Sequence, residues 1–417
     1  MHCESDFMSK DQTFTAPVSV SERHLILDVL RGFALLGIIM ANFPEFSLYS
    51  FLGGEAKEQM STFNLDRWTN AMLYLFVDGK FYTIFSLLFG VGFYIILTNV
   101  ARRGGNGLRV FYRRMVILFF IGLAHLFFLW SGDILMLYAI VGMVLPLFRK
   151  LSDKTLTLWA LFFLLLPVGI DFLLQATGGS LSEKVVEAQW VLCDKYGITE
   201  NNFAYWLRDA DSYGDMFKFL VMGSVERMTE FIDGNRYFKV LGLFLIGFMI
   251  GRNRLYAGLS GRKHTLRNIC ILGLGVGLPL SALYAWESMN GHPWGLGFHS
   301  LIYFVSVYLT SFGYVAAVCM LYIARDNMPV WRALSFPGRM ALTCYIGQSV
   351  AGIIIFYGVG MGVGASVGLF SVEIIALGVY LLEVGCCGVW LRYFRFGPLE
   401  WIWRCLTYGR RFSLKLT

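Results

Sequence analysis

The sequence predicts an all-α polytopic membrane protein, and three observations carry that prediction. Only 15% of its 417 residues are charged and 57% are hydrophobic, whereas soluble domains carry roughly 25% charge. The apolar residues fall in long unbroken runs rather than in the short alternating segments of a membrane barrel. The surplus of 35 basic over 28 acidic residues sits in short connections between those runs, so it reads as membrane topology and not as a surface for nucleic acid.

Taking about 20 mostly apolar residues per crossing, ten helices are expected, near 25–43, 76–98, 115–131, 133–149, 155–175, 237–251, 269–287, 299–323, 339–357 and 367–391. The polar stretch from Met1 to Arg23 reads as a tail, and the first apolar run lacks a small-residue cleavage signature, so it is expected to stay as a membrane helix. The connection 99–114 carries Arg102, Arg103, Arg109, Arg113 and Arg114, and 252–268 carries Arg252, Arg254, Arg262, Lys263 and Arg267. Basic connections face the cytoplasm. Alternation from them puts both termini there, with a tail at 1–24, a membrane core at 25–175, an outer region at 176–236, a second membrane region at 237–391 and a tail at 392–417.

The outer region is acidic, with Glu183, Glu187, Asp194, Glu226, Glu230 and Asp233 among its carboxylates. A structureless loop of that length is uncommon, and its aromatic and aliphatic clusters point to short surface helices that could cap an external cavity. The eight cysteines lie mostly inside apolar runs without a C-x-x-C pair, which offers neither a disulfide framework nor a zinc site. No metal is expected.

Ionisable residues inside apolar spans are expensive and are therefore candidates for function. Asp28 and Arg31 share a helix face and can pair, or both can snorkel at the interface. Asn42 lies eleven residues beyond Arg31, on a similar face at the opposite depth. Asp78-Gly79-Lys80 opens the second span, either as a local ion pair or as the polar lining of a cavity. The third hairpin, Gly122-Leu-Ala-His125 through Trp130-Ser-Gly-Asp133, carries the sharpest signal. A neutral imidazole removes a proton near physiological pH, and a nearby carboxylate fixes its tautomer; a histidine so placed serves helix packing equally well. His292 and His299 sit where interfacial histidines are ordinary, and Glu373, Glu383, Thr343, Gln348 and Ser349 are weaker candidates. No Walker loop, G-x-S-x-G or H-E-x-x-H motif is present.

Several stretches resemble one family: Leu27-Asp-Val-Leu-Arg-Gly-Phe-Ala-Leu-Leu-Gly37 with Asn42, Phe85-Ser-Leu-Leu-Phe-Gly-Val-Gly92, Gly132-Asp-Ile-Leu135 with Tyr138-Ala139, and Arg395-Phe-Gly-Pro-Leu-Glu-Trp401 with Leu406-Thr-Tyr-Gly409. Spread over nearly the whole chain, they look like the YeiB family of bacterial inner-membrane proteins. The first half of that family resembles heparan-alpha-glucosaminide N-acetyltransferase and, more remotely, membrane acyltransferases that decorate surface glycans. The resemblance implies an acyltransferase-like helical bundle in a bacterial inner membrane. It also implies transfer from cytoplasmic acyl-CoA, acetyl-CoA first, to a hydroxyl or amine acceptor such as a glycan or lipid headgroup on the far side. Arg31 matches an arginine of those enzymes, Asn42 the place of a histidine or asparagine, and Asp78 an aspartate. The glucosaminide enzyme's histidine before that aspartate has no counterpart, because Asn64 to Val77 contains none.

On this reading Arg31, Arg113 and Arg114 hold the CoA phosphates, His125 with Asp133 is the base, and Asn42, Asp78 and Lys80 serve the acceptor and the oxyanion. The rival reading is a proton-coupled transporter or flippase using the same buried charges, and a third is a receptor or scaffold acting through the acidic outer region. Membrane lipids are the expected surroundings. Small-residue faces that pack helices within one chain would also pack two copies, so a homodimer stays open.

Overall fold

The computed structural model describes residues 24–416; the expected tail at 1–24 therefore lies almost wholly outside the described residues. The bundle is built from α1 (Leu25–Phe46), α2 (Phe63–Phe76), α3 (Lys80–Arg102), α4 (Gly107–Phe128), α5 (Leu135–Val144) and α6 (Asp153–Thr177). It continues with α7 (Glu183–Tyr196), α8 (Tyr213–Asp233), α9 (Arg236–Arg252), α10 (Lys263–Gly275), α11 (Gly277–Met289) and α12 (Gly295–Ala324). The last four are α13 (Pro329–Arg339), α14 (Ala341–Phe356), α15 (Leu369–Tyr393) and α16 (Pro398–Tyr408). Among the described residues the one strand-like feature is an isolated bridge between Phe394 and Lys415.

All ten apolar runs are helical, and this is a multi-pass membrane protein. Seven helical stretches are long and apolar enough to cross a bilayer: Leu25–Phe46, Phe63–Arg102, Gly107–Phe128, Asp153–Thr177, Leu259–Met289, Gly295–Ala324 and Leu369–Tyr393. The other three runs differ from straightforward spans. Leu135–Phe148 is shorter, and α9 has 17 residues. The ninth run is a pair of helices, α13 and α14, meeting at 80°.

That bend has a local cause. Pro337 and Gly338 end α13, and the first amides of α14 are left without intrahelical acceptors. Glu400 of α16 fills the gap, its Oε1 accepting the amides of Leu342 at 2.7 Å and Thr343 at 3.0 Å and its Oε2 accepting the Thr343 hydroxyl at 2.6 Å. Helix α13 lies so close on α1 that a Cβ on Gly32 would be 1.8 Å from the Leu334 carbonyl oxygen, and one on Gly338 would be 1.8 Å from that of Asp28.

A second break separates α2 from α3 at Val77-Asp78-Gly79. Gly79 adopts φ +72°, a left-handed conformation that glycine reaches without a Cβ penalty. Its position also leaves no room for a side chain, since a Cβ would meet the Tyr303 hydroxyl at 2.7 Å.

Two corrections to the expected boundaries matter for the site. Helix α4 starts at Gly107, so Arg113 and Arg114 lie on the helix and not in a connection. The segment after 391 is no loose tail, because α16 buries Trp403 and Thr407 in the bundle. The outer region folds into α7, a short helix at Glu200–Phe203, and α8.

The connections identify two ends of the bundle. At one end the His24 ring packs 4.8 Å from Tyr256, and Arg252 pairs with Asp153. At the other, the Gly358 amide donates to the Leu207 carbonyl at 2.8 Å and the Tyr213 hydroxyl to that of Phe128 at 2.7 Å. The 176–236 region thus packs onto the second end.

Candidate functional site

A cavity of about 390 Å³ runs between these two ends, within the size range of small-molecule sites. Helix α1 forms its longest wall. Arg31, Ile38, Asn42 and Glu45 all line it, and their spacings of seven, four and three residues keep them on one helix face. From Arg31 to Glu45 the helix rises about 21 Å, most of the roughly 30 Å hydrocarbon core of a bilayer.

The first end is rich in arginine. Arg31, Arg114, Arg339 and Arg404 converge there from α1, α4, α13 and α16, with Glu400 as the carboxylate between them. Arg31 bonds Asp28 at 2.9 Å. The Arg114 guanidinium lies 3.6 Å over the ring of Trp403, a cation–π contact that leaves its planar donors aimed sideways. Helix α14 also presents its first turn, through Ala341 and Leu342, to this end, which adds the positive end of a helix dipole.

The middle is apolar and aromatic, walled by Ile38, Phe81, Phe85, Leu88, Phe89 and Tyr138. The second end is polar again, with Asn42, Glu45, Asp78, Arg227, Glu230 and Arg236. Asp78 is held by the Tyr284 hydroxyl at 2.5 Å. Arg227 of α8 donates to the backbone carbonyls of Asp133 at 3.0 Å and Gly132 at 2.6 Å and pairs with Glu230. Burial raises the Glu230 carboxyl, but Arg227 and Arg236 outweigh it and hold the group below the usual range. In the same helix Glu226 is pushed up to about 7 by burial and by the charge of Glu230.

Four of the eight residues singled out from sequence line the cavity: Arg31, Asn42, Asp78 and Arg114. The other four lie off it. Arg113, about 100° around the helix from Arg114, packs near Gly409. Lys80 is fully buried, its ammonium bonded to the Tyr74 carbonyl at 2.7 Å.

His125 and Asp133 do meet, with Nδ1 3.0 Å from Oδ1, while the second ring nitrogen, Nε2, lies 2.8 Å from the Ser349 hydroxyl. Asp133 also accepts the Met136 amide at 2.8 Å. Ser349, His125 and Asp133 have the connectivity of a nucleophile, base and orienting carboxylate, yet each is at most 1% exposed. Sealed behind Gly132, Ile134 and Tyr345 of the cavity wall, the three tie α4, α5 and α14 together.

The remaining cavity charges had weak signals in the sequence. Glu45 follows Pro44 at the end of an apolar run, Arg339 and Arg404 looked like ordinary flanking bases, and Arg227, Glu230 and Arg236 were hidden in the acidic region.

Comparison with known proteins places the chain. It is 30% identical over 409 residues to YxaH of Bacillus subtilis (strain 168), covering 94% of this chain and 96% of that one. The chain belongs to the YeiB family. YeiB of Escherichia coli (strain K12) is 27% identical over 398 residues, covering 93% of this chain and 96% of its own. A 39.9 kDa protein from the amylase 3′ region of Bacillus acidopullulyticus is 29% identical over 405 residues, covering 96% and 98%. Residues 250–410 match the family model described as a protein of unknown function, DUF418. That segment supplies Arg339, Arg404, Glu400 and Tyr345 of the cavity; the other walls come from the half before it.

Proposed function

We propose that this protein transfers an acyl group across a bacterial plasma membrane, from acyl-CoA at the arginine end to a hydroxyl or amine acceptor at the Glu45 end. The observation that carries the reading is the cavity linking a four-arginine mouth to a polar, carboxylate-bearing mouth along α1. The basic connections share the arginine end, and the usual charge bias supports a cytoplasmic position for that end and for both termini.

Arg31, Arg114, Arg339 and Arg404 hold the phosphates, Arg in particular because its fork matches phosphate oxygens. The nucleotide stays at the mouth, and the pantetheine arm extends along the aromatic middle. An acceptor such as a glycan or lipid headgroup enters from the other side. Its O–H or N–H gives a proton to a cavity carboxylate, Glu45 foremost, as the freed atom attacks the thioester carbon. The C–S bond then breaks, and the CoA thiolate takes the proton back from Glu45. Asn42, one helical turn before Glu45, donates to the developing oxyanion. The role passes from His125 to a carboxylate because both imidazole nitrogens are engaged and neither reaches the cavity.

The test is acetyl-CoA binding by calorimetry in nanodiscs for wild type, Arg31→Ala, Glu45→Gln and His125→Ala. Micromolar binding that is lost in Arg31→Ala and kept in Glu45→Gln supports the reading. A folded wild type that binds neither acetyl-CoA nor longer acyl-CoAs would sink it.

One observation favours the rival, proton-coupled transport. Both carboxylate oxygens of Glu373 on α15 are buried with no hydrogen-bond partner among the described residues, as in a proton-carrying site. Glu373 lies outside the cavity lining. Solute movement in proteoliposomes that persists without CoA and is lost in Glu373→Gln would favour the transporter.

A further inference from the structure

Away from the cavity, the α11–α12 hairpin gathers three groups that the acyl-transfer reading does not use. Glu287 is wholly buried, and one of its oxygens, Oε2, meets His292 Nδ1 at 3.0 Å and His299 Nδ1 at 2.5 Å. Its other oxygen, Oε1, is buried with no hydrogen-bond partner among the described residues. A carboxylate in a bilayer-embedded hairpin with one oxygen unsatisfied is costly, and two imidazoles clustered on the same carboxylate compensate only part of that cost.

We propose that Glu287, His292 and His299 form a binding site for a divalent transition-metal ion of the zinc class. All three donor atoms lie within 4.8 Å of one another. Two imidazole nitrogens and a carboxylate oxygen are the donor set of zinc sites that keep a fourth position open. Zinc–ligand bonds of about 2.0–2.2 Å put tetrahedral donors roughly 3.3 Å apart. The oxygen–nitrogen distances of 3.0 Å and 2.5 Å open by roughly 0.3 Å and 0.8 Å to admit the ion, and metal entry displaces the imidazole protons from the Nδ1 atoms.

The site is open on its His292 side. His292 is 44% exposed whereas His299 is 18% exposed and Glu287 is buried, so the ion enters from the His292 side and is anchored from within. Soft thiolates are absent from the set, which argues against copper(I), and the imidazoles argue against magnesium or calcium.

The hairpin also carries Tyr284, whose hydroxyl holds Asp78 at the cavity wall. A bound ion would therefore clasp α11 to α12 directly behind one wall of the cavity.

The test uses full-length protein in nanodiscs, purified without a polyhistidine tag and stripped with chelator, titrated with Zn²⁺ by calorimetry. One site per chain of micromolar affinity or tighter is expected, weakened at least about 100-fold in His292→Ala and in His299→Ala and unchanged in the exposed control His264→Ala. Zn²⁺ should also raise the unfolding temperature of wild type but not of His292→Ala, a substitution at an exposed position that leaves the fold intact. Equal affinity and stoichiometry in wild type and a variant carrying both His292→Ala and His299→Ala, or no binding at millimolar Zn²⁺, would overturn the proposal. Neither result bears on acetyl-CoA binding, so the two readings stand or fall separately.

Discussion

The guanidinium of Arg114 stacks on the indole of Trp403, 3.6 Å from its centroid, while the Trp403 Nε1–H donates to the Arg114 backbone carbonyl at 3.1 Å. This double contact joins the helix of the third apolar run to α16, and it fixes the direction of one of the four arginines at the first end of the cavity. Trp403→Leu keeps an apolar side chain and releases the arginine. Acyl-CoA affinity should fall about 2- to 30-fold, the worth of a cation–π contact of about 0.5–2 kcal/mol. Arg114→Lys should weaken binding in the same direction, since a lysine keeps the charge without the planar fork. Calorimetry reads both.

His125→Ala should cost stability rather than ligand affinity. It strands the Asp133 carboxylate and the Ser349 hydroxyl in the interior, and removing one partner of a buried pair typically costs about 3–5 kcal/mol. The expected result is a lower unfolding temperature with unchanged acetyl-CoA affinity in the folded fraction. A well-folded variant that binds normally but transfers nothing would make Ser349, His125 and Asp133 the chemical centre instead.

Gly338→Ala should be among the most damaging single-methyl changes in the chain. Its Cβ would meet the Asp28 carbonyl oxygen at 1.8 Å, and two helix backbones must separate to relieve the clash. Overpacking costs of about 1–3 kcal/mol set the lower expectation. Gly378→Ala on α15 is the control, because a Cβ there meets nothing within 4 Å, and alanine's better helix propensity should leave stability equal or up to about 1 kcal/mol higher. Unfolding curves in mild detergent compare the two.

Glu226 makes stability depend on pH. Burial first, and then the charge of Glu230, push its carboxyl up to about 7 from 4.5. A raised acid binds its proton more tightly in the folded state, so this contribution to stability is complete below about pH 4.5 and is lost as pH rises through about 7. Glu226→Gln removes the ionisation, and its advantage over wild type should grow between pH 5 and pH 8, by up to about 3 kcal/mol at 1.36 kcal/mol per pKa unit. Melting temperatures of the two proteins across that range check the sign. A wild type that becomes more stable relative to the variant as pH rises would contradict it.

Much of this architecture was legible in the residues because lipid leaves the chain few options: every apolar run had to be helical. Arg31 and Asn42 were readable as one face of α1 at two depths, and both line the cavity. Lys80 was misleading, because a charge in an apolar run points to a cavity only when no backbone carbonyl lies closer, and the Tyr74 carbonyl does. Glu45 was not legible because the apolar run stops before Pro44, yet α1 continues through that proline to Phe46. The 80° bend was hidden for a different reason: it falls at Met340, where the run 339–357 begins, and the cap that permits the break comes from Glu400, nearly sixty residues away.

Glu400 also links the cavity to the order in which the chain is made. The ribosome releases the first helix long before α16 exists, but the arginine mouth lacks Trp403, Arg404 and the cap on α14 until that last helix docks. A nascent or truncated chain ending near residue 397 would be inserted with its membrane helices in place and its mouth unformed. The arginine end of the cavity is thus a late-formed feature, finished only once α16, nearly sixty residues after the helix it caps, has been made and has docked.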